Sequence, residues 1–473
     1  MKKMFKKIFV FFSLILSIYL IFNIYNLNVF PIKYFYIITS AVILLNLIAM
    51  FNFLSKKIFQ RFIGKLLYLL IIVICVLGLK YTSETISFLN ESFSSLDEQI
   101  EYDIVVLKSS NYKELSSLSN KSLGYIENDS NNNKVLEKLK SKVKTNDLKF
   151  NNINEMYNDL DNKKIQSLVA PESLIDLLEE DNYSVKDNIK VIYKFKISTK
   201  ENSSDKKLTT LKPVNIYISG SDSRGEISDR SRSDVNMILT LNPKTNKILL
   251  TNIPRDYYVK LHNTTGLNDK LTHAGIYGTE MSKTTLEDLF NIDISSTIKV
   301  GFQSVIKIVD LVGGIDIYSD QELTTSGSDG GATPVHIVVG NNHLTGAEAL
   351  SFARERHAYT KGDRQRGENQ QLVLEALINK LTKDKTMLLK YNEFLENLKT
   401  SYKTDISEEF IKNLVRYQLD DMPSWTIEKQ EVDGTGSYAQ TYSIPGRNLY
   451  VMIPNTDSVT KATKKINKVL DED

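Results

Sequence analysis

Lysine outnumbers arginine 48 to 11 in this chain, yet eight of the arginines fall in two short windows: Arg224, Arg230, Arg232 and Arg255, then Arg354, Arg356, Arg364 and Arg366. A guanidinium offers a rigid fork of donors that matches two phosphate oxygens at once, whereas an ammonium is a point charge. A lysine-rich chain that concentrates its arginine in two places reads as binding phosphate there. The plainer reading is pairing with neighbouring carboxylates on a solvated surface. Acidic residues do stand among the arginines: Asp222, Asp234, and Asp363 beside Arg364. Two carboxylates brought together by adjacent strand ends can hold Mg²⁺, which takes one or two carboxylates, phosphate oxygens and several waters. Metal and arginine together would neutralise a pyrophosphate. Asp222 taken alone also suits a turn at a strand end.

Other chemistries lack a pattern. The five histidines form no His-Glu-x-x-His spacing, and neither a Walker-type phosphate loop nor a nucleophile elbow is present. ATP hydrolysis and acyl transfer therefore lose support. His273 and His357 lie near the arginine windows and read as hydrogen-bonded structural residues. The single cysteine, Cys75, sits in an apolar run, so an intramolecular disulfide and a cysteine metal cluster are both excluded.

The elements that must carry these residues follow from pattern. Val214–Ser219 is a β-rich run ending at Gly220, Ser221 and Asp222, and the runs 237–241 and 247–251 flank a turn-forming tip, which predicts a hairpin. Arg232 and Asp234, two apart at an expected strand start, project to one face. Helical patterns follow at 283–290, 302–312, 346–354 and 368–381. In the last of these, Gln370, Leu374, Leu377 and Leu381 form a stripe that reads either as core or as a lipid groove. Strands interleaved with helices predict an α/β domain with a central mixed sheet covered on both faces, over residues 206–473.

Upstream, residues 81–205 are polar, with a helical stretch at 135–143, a loop at 128–133 and an extended segment at 189–197. They read as an accessory domain without visible chemistry, bounded near 200–207. Residues 1–80 carry ten basic residues and no acidic one, which leaves 49 basic against 57 acidic beyond them, a formal charge of −8. That excess of acid gives no basic field for nucleic acid. Three apolar runs, 8–27, 34–54 and 62–79, each approach the roughly 20 residues that cross a bilayer. Lysine and arginine before the first run and in the second loop put the N-terminus inside and everything after the third span outside.

The motifs as they stand resemble the LytR-CpsA-Psr family. They run in order: Gly220-Ser221-Asp222-Ser223-Arg224; Arg232-Ser233-Asp234 leading into the hairpin; Ile253-Pro254-Arg255-Asp256; Leu271-Thr272-His273-Ala274; Gly313-Gly314-Ile315; Phe352-Ala353-Arg354-Glu355-Arg356; then Gly362-Asp363, Arg366-Gly367 and Asn369-Gln370. Three spans followed by an accessory domain resemble the family's capsule-associated streptococcal branch. The resemblance implies a phosphotransferase outside the cell that takes capsule, teichoic acid or a related glycopolymer from a polyprenyl pyrophosphate carrier to peptidoglycan. It implies Asp222 and Asp234 as Mg²⁺ ligands, and Arg232, Arg255, Arg354, Arg356 and Gln370 as pyrophosphate contacts. Asp363 and Arg366 match the later part of the family's site, and Arg224 and Asn369 join Arg366 and Gln370 in the substrate-binding set. Many members carry a second arginine just before the glutamine, where this chain has Asn369. The expected reaction is attack by a muramic acid hydroxyl on the phosphorus next to the polymer, with polyprenyl monophosphate leaving. Alternatives are a pyrophosphatase, a membrane-bound sensor or transcriptional attenuator, and a lipid carrier without catalysis.

Overall fold

Three apolar helices open the chain in the computed structural model, which describes all residues except 1, 94–97, 128, 130, 182–184, 200–207, 222–226, 229, 328–332, 360–361 and 384–401. They run Lys2–Leu27, Ile32–Leu54 and Ile58–Phe93, and each contains a segment long and apolar enough to cross a membrane. The third is longer than its apolar run. At 36 residues it reaches about 54 Å, well beyond a hydrocarbon core of about 30 Å. Past the apolar part its hydroxyls are satisfied within the helix, Thr82 Oγ1 donating to the Gly78 carbonyl at 2.9 Å and Thr85 Oγ1 to the Tyr81 carbonyl at 2.8 Å. Small and polar residues join the helices. A Cβ at Gly64 would stand 2.3 Å from the Phe53 nitrogen, and buried Asn46 donates to Ser17 Oγ at 3.0 Å. The turn after the first helix touches the downstream body, with Lys33 Nζ 2.6 Å from Asp420 and the Arg416 guanidinium donating to the Asn28 carbonyl.

Residues 98–199 build a five-stranded mixed sheet in the order 146–150, 122–126, 167–171, 98–107, 189–199. The strand Glu98–Leu107 alternates as a doubly covered strand must. Tyr102, Ile104 and Val106 face Val135 and Leu139 of the Asn132–Lys140 helix, while Val105 faces Met156 and Leu160 of Ile153–Asp161. The expected loop at 128–133 ends sooner, since helix begins at Asn132, and the expected boundary at 200–207 lies outside the described residues.

The second sheet has six strands, in the order Tyr402–Thr404, Ser296–Gly301, Val214–Ser221, Val235–Asn242, Lys247–Ile253, Thr426–Glu431. It is mixed: the inner three are antiparallel to one another, and the strands at 296 and 426 add in parallel. Tyr217, Ile238 and Leu249 pack beneath the helices Thr279–Phe290 and Thr456–Asp471. Ile216, Met237 and Leu250 face the helices Asp363–Lys383 and Glu408–Asp421 on the other side. Both faces are covered, as period-2 alternation requires of a buried sheet. The stripe on the Asp363–Lys383 helix is divided: Leu374 packs on this sheet, Leu377 joins a neighbouring core around Ile315 and Phe352, and Leu381 is exposed.

Candidate active site

The hairpin brings the first two motifs together. Strand Val235–Asn242 begins directly after Asp234, and Lys247–Ile253 ends two residues before Arg255, with Asn236 paired to Ile253. Arg255 Nη1 donates to Asp234 Oδ1 at 2.8 Å, with side chains 26% and 13% exposed. Arg232–Asp234 precedes the strand instead of opening it, because backbone bonds from three sides hold it. Ser231 N donates to the Gly275 carbonyl at 3.0 Å, Ser233 N to the Thr272 carbonyl at 3.1 Å, and Asp234 N to the Gly220 carbonyl at 2.8 Å. Ser233, fully buried, meets Tyr217 Oη at 2.9 Å and Ser219 Oγ at 2.8 Å. Thr272 N donates in turn to the Arg255 carbonyl at 2.8 Å, so one residue clamps both motifs. A Cβ at Gly275 would lie 2.4 Å from the Ser231 carbonyl oxygen, so only glycine permits this approach. His273 is buried with Nδ1 2.7 Å from Asp269, whose other oxygen takes the N–H of Ser443 at 3.0 Å, a structural network as expected.

Two helices deliver the second window. Gly346–Arg354 starts in a capping box of Thr345 and Glu348, and its glycine lies against Ile306 of the Phe302–Leu311 helix, where a Cβ would be 2.2 Å from a backbone oxygen. It ends at Arg354, whose guanidinium lies 4.8 Å over the Phe302 ring. Glu355 then turns inward, 2% exposed, and accepts from the backbone of His357 at 2.6 Å and Ala358 at 2.9 Å. Burial raises its pKa, but these donors with Ser326 outweigh it and hold the carboxyl below its ordinary value. Arg354 and Arg356 therefore flank an anchored residue. The Asp363–Lys383 helix approaches the sheet through Gly367, where a Cβ would stand 2.0 Å from Asn252 Nδ2, three residues before Arg255. Buried Gln371 fastens it by donating to the carbonyls of Leu250 at 2.9 Å and Gln430 at 2.8 Å. Arg366 pairs with Asp363 at 2.9 Å.

The electrostatics show these groups facing one another. Burial pulls the pKa of Arg366 down, and the positive charges of Arg255 and Arg356 add to that against Asp363 and Asp234. Burial also works against Arg255, but the carboxylates of Asp234, Asp256 and Asp363 overcome it and raise its pKa. Three guanidiniums and Lys270, which pairs with Asp256 at 3.2 Å, thus share a partly desolvated place with three carboxylates, Asp234, Asp256 and Asp363, an excess of one positive charge. An anion is what such a place lacks.

The family model described as the LytR_cpsA_psr family matches residues 183–468. The chain belongs to that family. A relative from Bacillus anthracis, named polyisoprenyl-teichoic acid–peptidoglycan teichoic acid transferase TagU, is 34% identical over 229 residues, covering 48% of this chain and 72% of that protein. A protein of the same name from Bacillus mycoides is 36% identical over 204 residues, covering 43% of this chain and 64% of its own. The crystal structure of TagV from B. subtilis aligns at 26% identity with a TM-score of 0.47, over 56% of this chain and 99% of that one.

Of the residues singled out in this LytR_cpsA_psr chain, Arg255, Asp234, Asp363, Arg366 and Arg356 converge, and Arg232 and Arg354 stand on the segments that converge. Gln370, half-buried, shares the helix face of Asp363 and Arg366. Asn369 departs from its expected substrate contact. One residue along a helix turns about 100°, and its fully buried amide donates to the Phe352 carbonyl at 2.9 Å. Asp222 and Arg224 lie outside the described residues. Arg364 follows the plainer surface reading, paired with Glu431 and with Asp433 at 3.1 Å. Asp256 and Lys270, 3.2 Å apart, adjoin the cluster and were not singled out, although Asp256 stands inside the Ile253–Asp256 motif. Among the described residues no group of three or more His, Cys, Asp or Glu gathers as a metal site. Asp234 and Asp363 are nevertheless oxygen donors of the hard type that Mg²⁺ takes singly or in pairs beside phosphate.

Proposed function

We propose that this chain is a membrane-anchored, extracytoplasmic phosphotransferase that moves a glycopolymer such as teichoic acid or capsule from a polyprenyl pyrophosphate carrier to peptidoglycan. The observation that carries the reading is the cluster of Arg255, Arg356 and Arg366 around Asp234 and Asp363, a cationic place suited to a pyrophosphate. The names of the TagU relatives support the class of donor and acceptor. An acceptor hydroxyl attacks the phosphorus attached to the polymer, and polyprenyl monophosphate leaves. Arg255 and Arg366 bind and orient the phosphate oxygens, and their preorganised charge stabilises what develops on the leaving group. Asp234, with Asp222 as the sequence suggests, would hold Mg²⁺, which supplies Lewis-acid neutralisation of the phosphates. The pyrophosphate bond itself carries the driving force.

Orientation is supported by the body's contact with the turn at 28–33. Turn and body share one side, and the lysine bias assigns that side to the exterior. A reporter fused after Asp473 is expected to be active outside the cell. Function is tested by transfer from a synthetic polyprenyl-pyrophosphoryl sugar to peptidoglycan fragments by the full-length protein. Release of free polymer to water with no glycan product would replace ligase by pyrophosphatase.

A further inference from the structure

One buried ion pair has no place in the chemistry above. Arg230 reaches from the segment before Arg232 to Asp129 of the five-stranded unit, Nη1 to Oδ1 at 3.5 Å, with side chains 13% and 6% exposed. Asp129 is aimed by its own unit: its Oδ2 accepts the Tyr102 hydroxyl at 2.6 Å and its Oδ1 the Asn131 N–H at 3.0 Å. Burial, followed by the charge of Asp129, lifts the Tyr102 hydroxyl far above its ordinary pKa, so it stays a donor. A desolvated pair of this kind is a weak source of stability and a strong constraint on geometry.

A second contact converges on the same segment. Ile276 is part of the apolar core of the five-stranded unit, together with Met156, Leu160, Ile444 and Leu449. It directly follows Gly275, whose carbonyl accepts the Ser231 N–H. The five-stranded unit thus holds the Arg230 side chain by charge and the acceptor for Ser231 by packing. Arg232 and Asp234 are the next site residues along the chain.

We infer that the five-stranded unit positions the active site, with Asp129, acting through Arg230, as a positioning residue for Arg232 and Asp234. The inference rests on the phosphotransferase reading of that site. Asp129 touches no substrate. It limits the conformations of 230–234, so that Arg232 and Asp234 meet the donor already ordered.

The test uses the full-length protein in lipid nanodiscs, with the synthetic polyprenyl-pyrophosphoryl sugar as donor. Asp129→Asn is expected to lower kcat by about tenfold or more with KM for the donor nearly unchanged, and Arg230→Lys to retain more activity than Arg230→Gln. Amide hydrogen exchange is expected to quicken at 231–234 in Asp129→Asn and to stay as in the parent protein across Lys247–Ile253. Glu127→Gln, which removes an exposed pair with Lys149 in the same unit, serves as the control. Should Asp129→Asn fail to fold, Tyr102→Phe removes only the hydroxyl that aims Asp129 and is read the same way. Unchanged exchange at 231–234, or a kcat loss matched by Glu127→Gln, overturns the inference. Absence of transfer by the parent protein would overturn the phosphotransferase reading instead, and the exchange data would still decide the positioning.

Discussion

Arg255 donates to Asp234 at 2.8 Å across the open end of a hairpin, so a guanidinium and a carboxylate 21 residues apart form one unit before any ligand arrives. The guanidinium is charged with or without its partner, and the backbone that carries it is held by the Thr272 N–H on the Arg255 carbonyl at 2.8 Å.

Arg255→Lys keeps the charge and loses the fork, so transfer is expected to fall by about tenfold or more, about 1.4 kcal/mol in barrier. Arg364→Lys, at the surface pair with Glu431 and Asp433, is expected to be nearly neutral. Transfer rates for both, with melting curves, make the comparison. Equal behaviour would remove the distinction between the arginine cluster and a surface pair.

Metal dependence follows from Asp234. Chelation by EDTA is expected to abolish transfer and added Mg²⁺ to restore it, while Asp234→Ala lowers the rate with no rescue at millimolar Mg²⁺. Activity that is indifferent to EDTA would exclude the metal role.

Gly275→Ala places a methyl against the Ser231 carbonyl and the Ser233 nitrogen. The backbone must move, at an expected cost of about 1–3 kcal/mol in stability and a larger proportional loss of transfer than the melting shift alone explains. Gly278, where a Cβ would meet nothing within 4 Å, is no fair control because its φ of +123° is itself unsuited to alanine. A Gly275→Ala protein with parental kinetics would show that the Arg232 segment tolerates displacement.

Asp103 in the five-stranded sheet supplies a pH test. Its side chain is 3% exposed and 3.4 Å from Lys194. Burial pushes its carboxyl up to about 6, with Glu172 and Glu101 adding and Lys194 opposing. A raised folded-state pKa means that the folded protein binds the proton more tightly than the unfolded chain. Stability from this group is therefore complete below about pH 4 and is lost as pH rises to about 6. Asp103→Asn is expected to stabilise by roughly 1–3 kcal/mol at pH 7.5 and to match the parent near pH 4. Melting temperatures at the two pH values decide it, and a lower value for the variant at pH 7.5 would reverse the assignment.

The two arginine windows, the three apolar runs and the hairpin were legible in the sequence because each rests on local information: composition, run length, and alternation around the turn at 242–246. The helix Gly346–Arg354 was legible to the residue because its capping box and apolar spacing are local too. Tertiary structure alone decided which arginines meet. Arg364 and Arg366 are two apart, and a helix sends them about 200° apart, one to a surface pair and the other to the cluster. It also decided that Asn369 turns inward while Asp363 and Arg366 pair at the site. The placement of Ser233, Thr272 and Gly275 was hidden for the same reason. Their contacts join segments some 17 to 44 residues apart, and nothing in the residues themselves records a backbone hydrogen bond that exists only after the sheet has assembled.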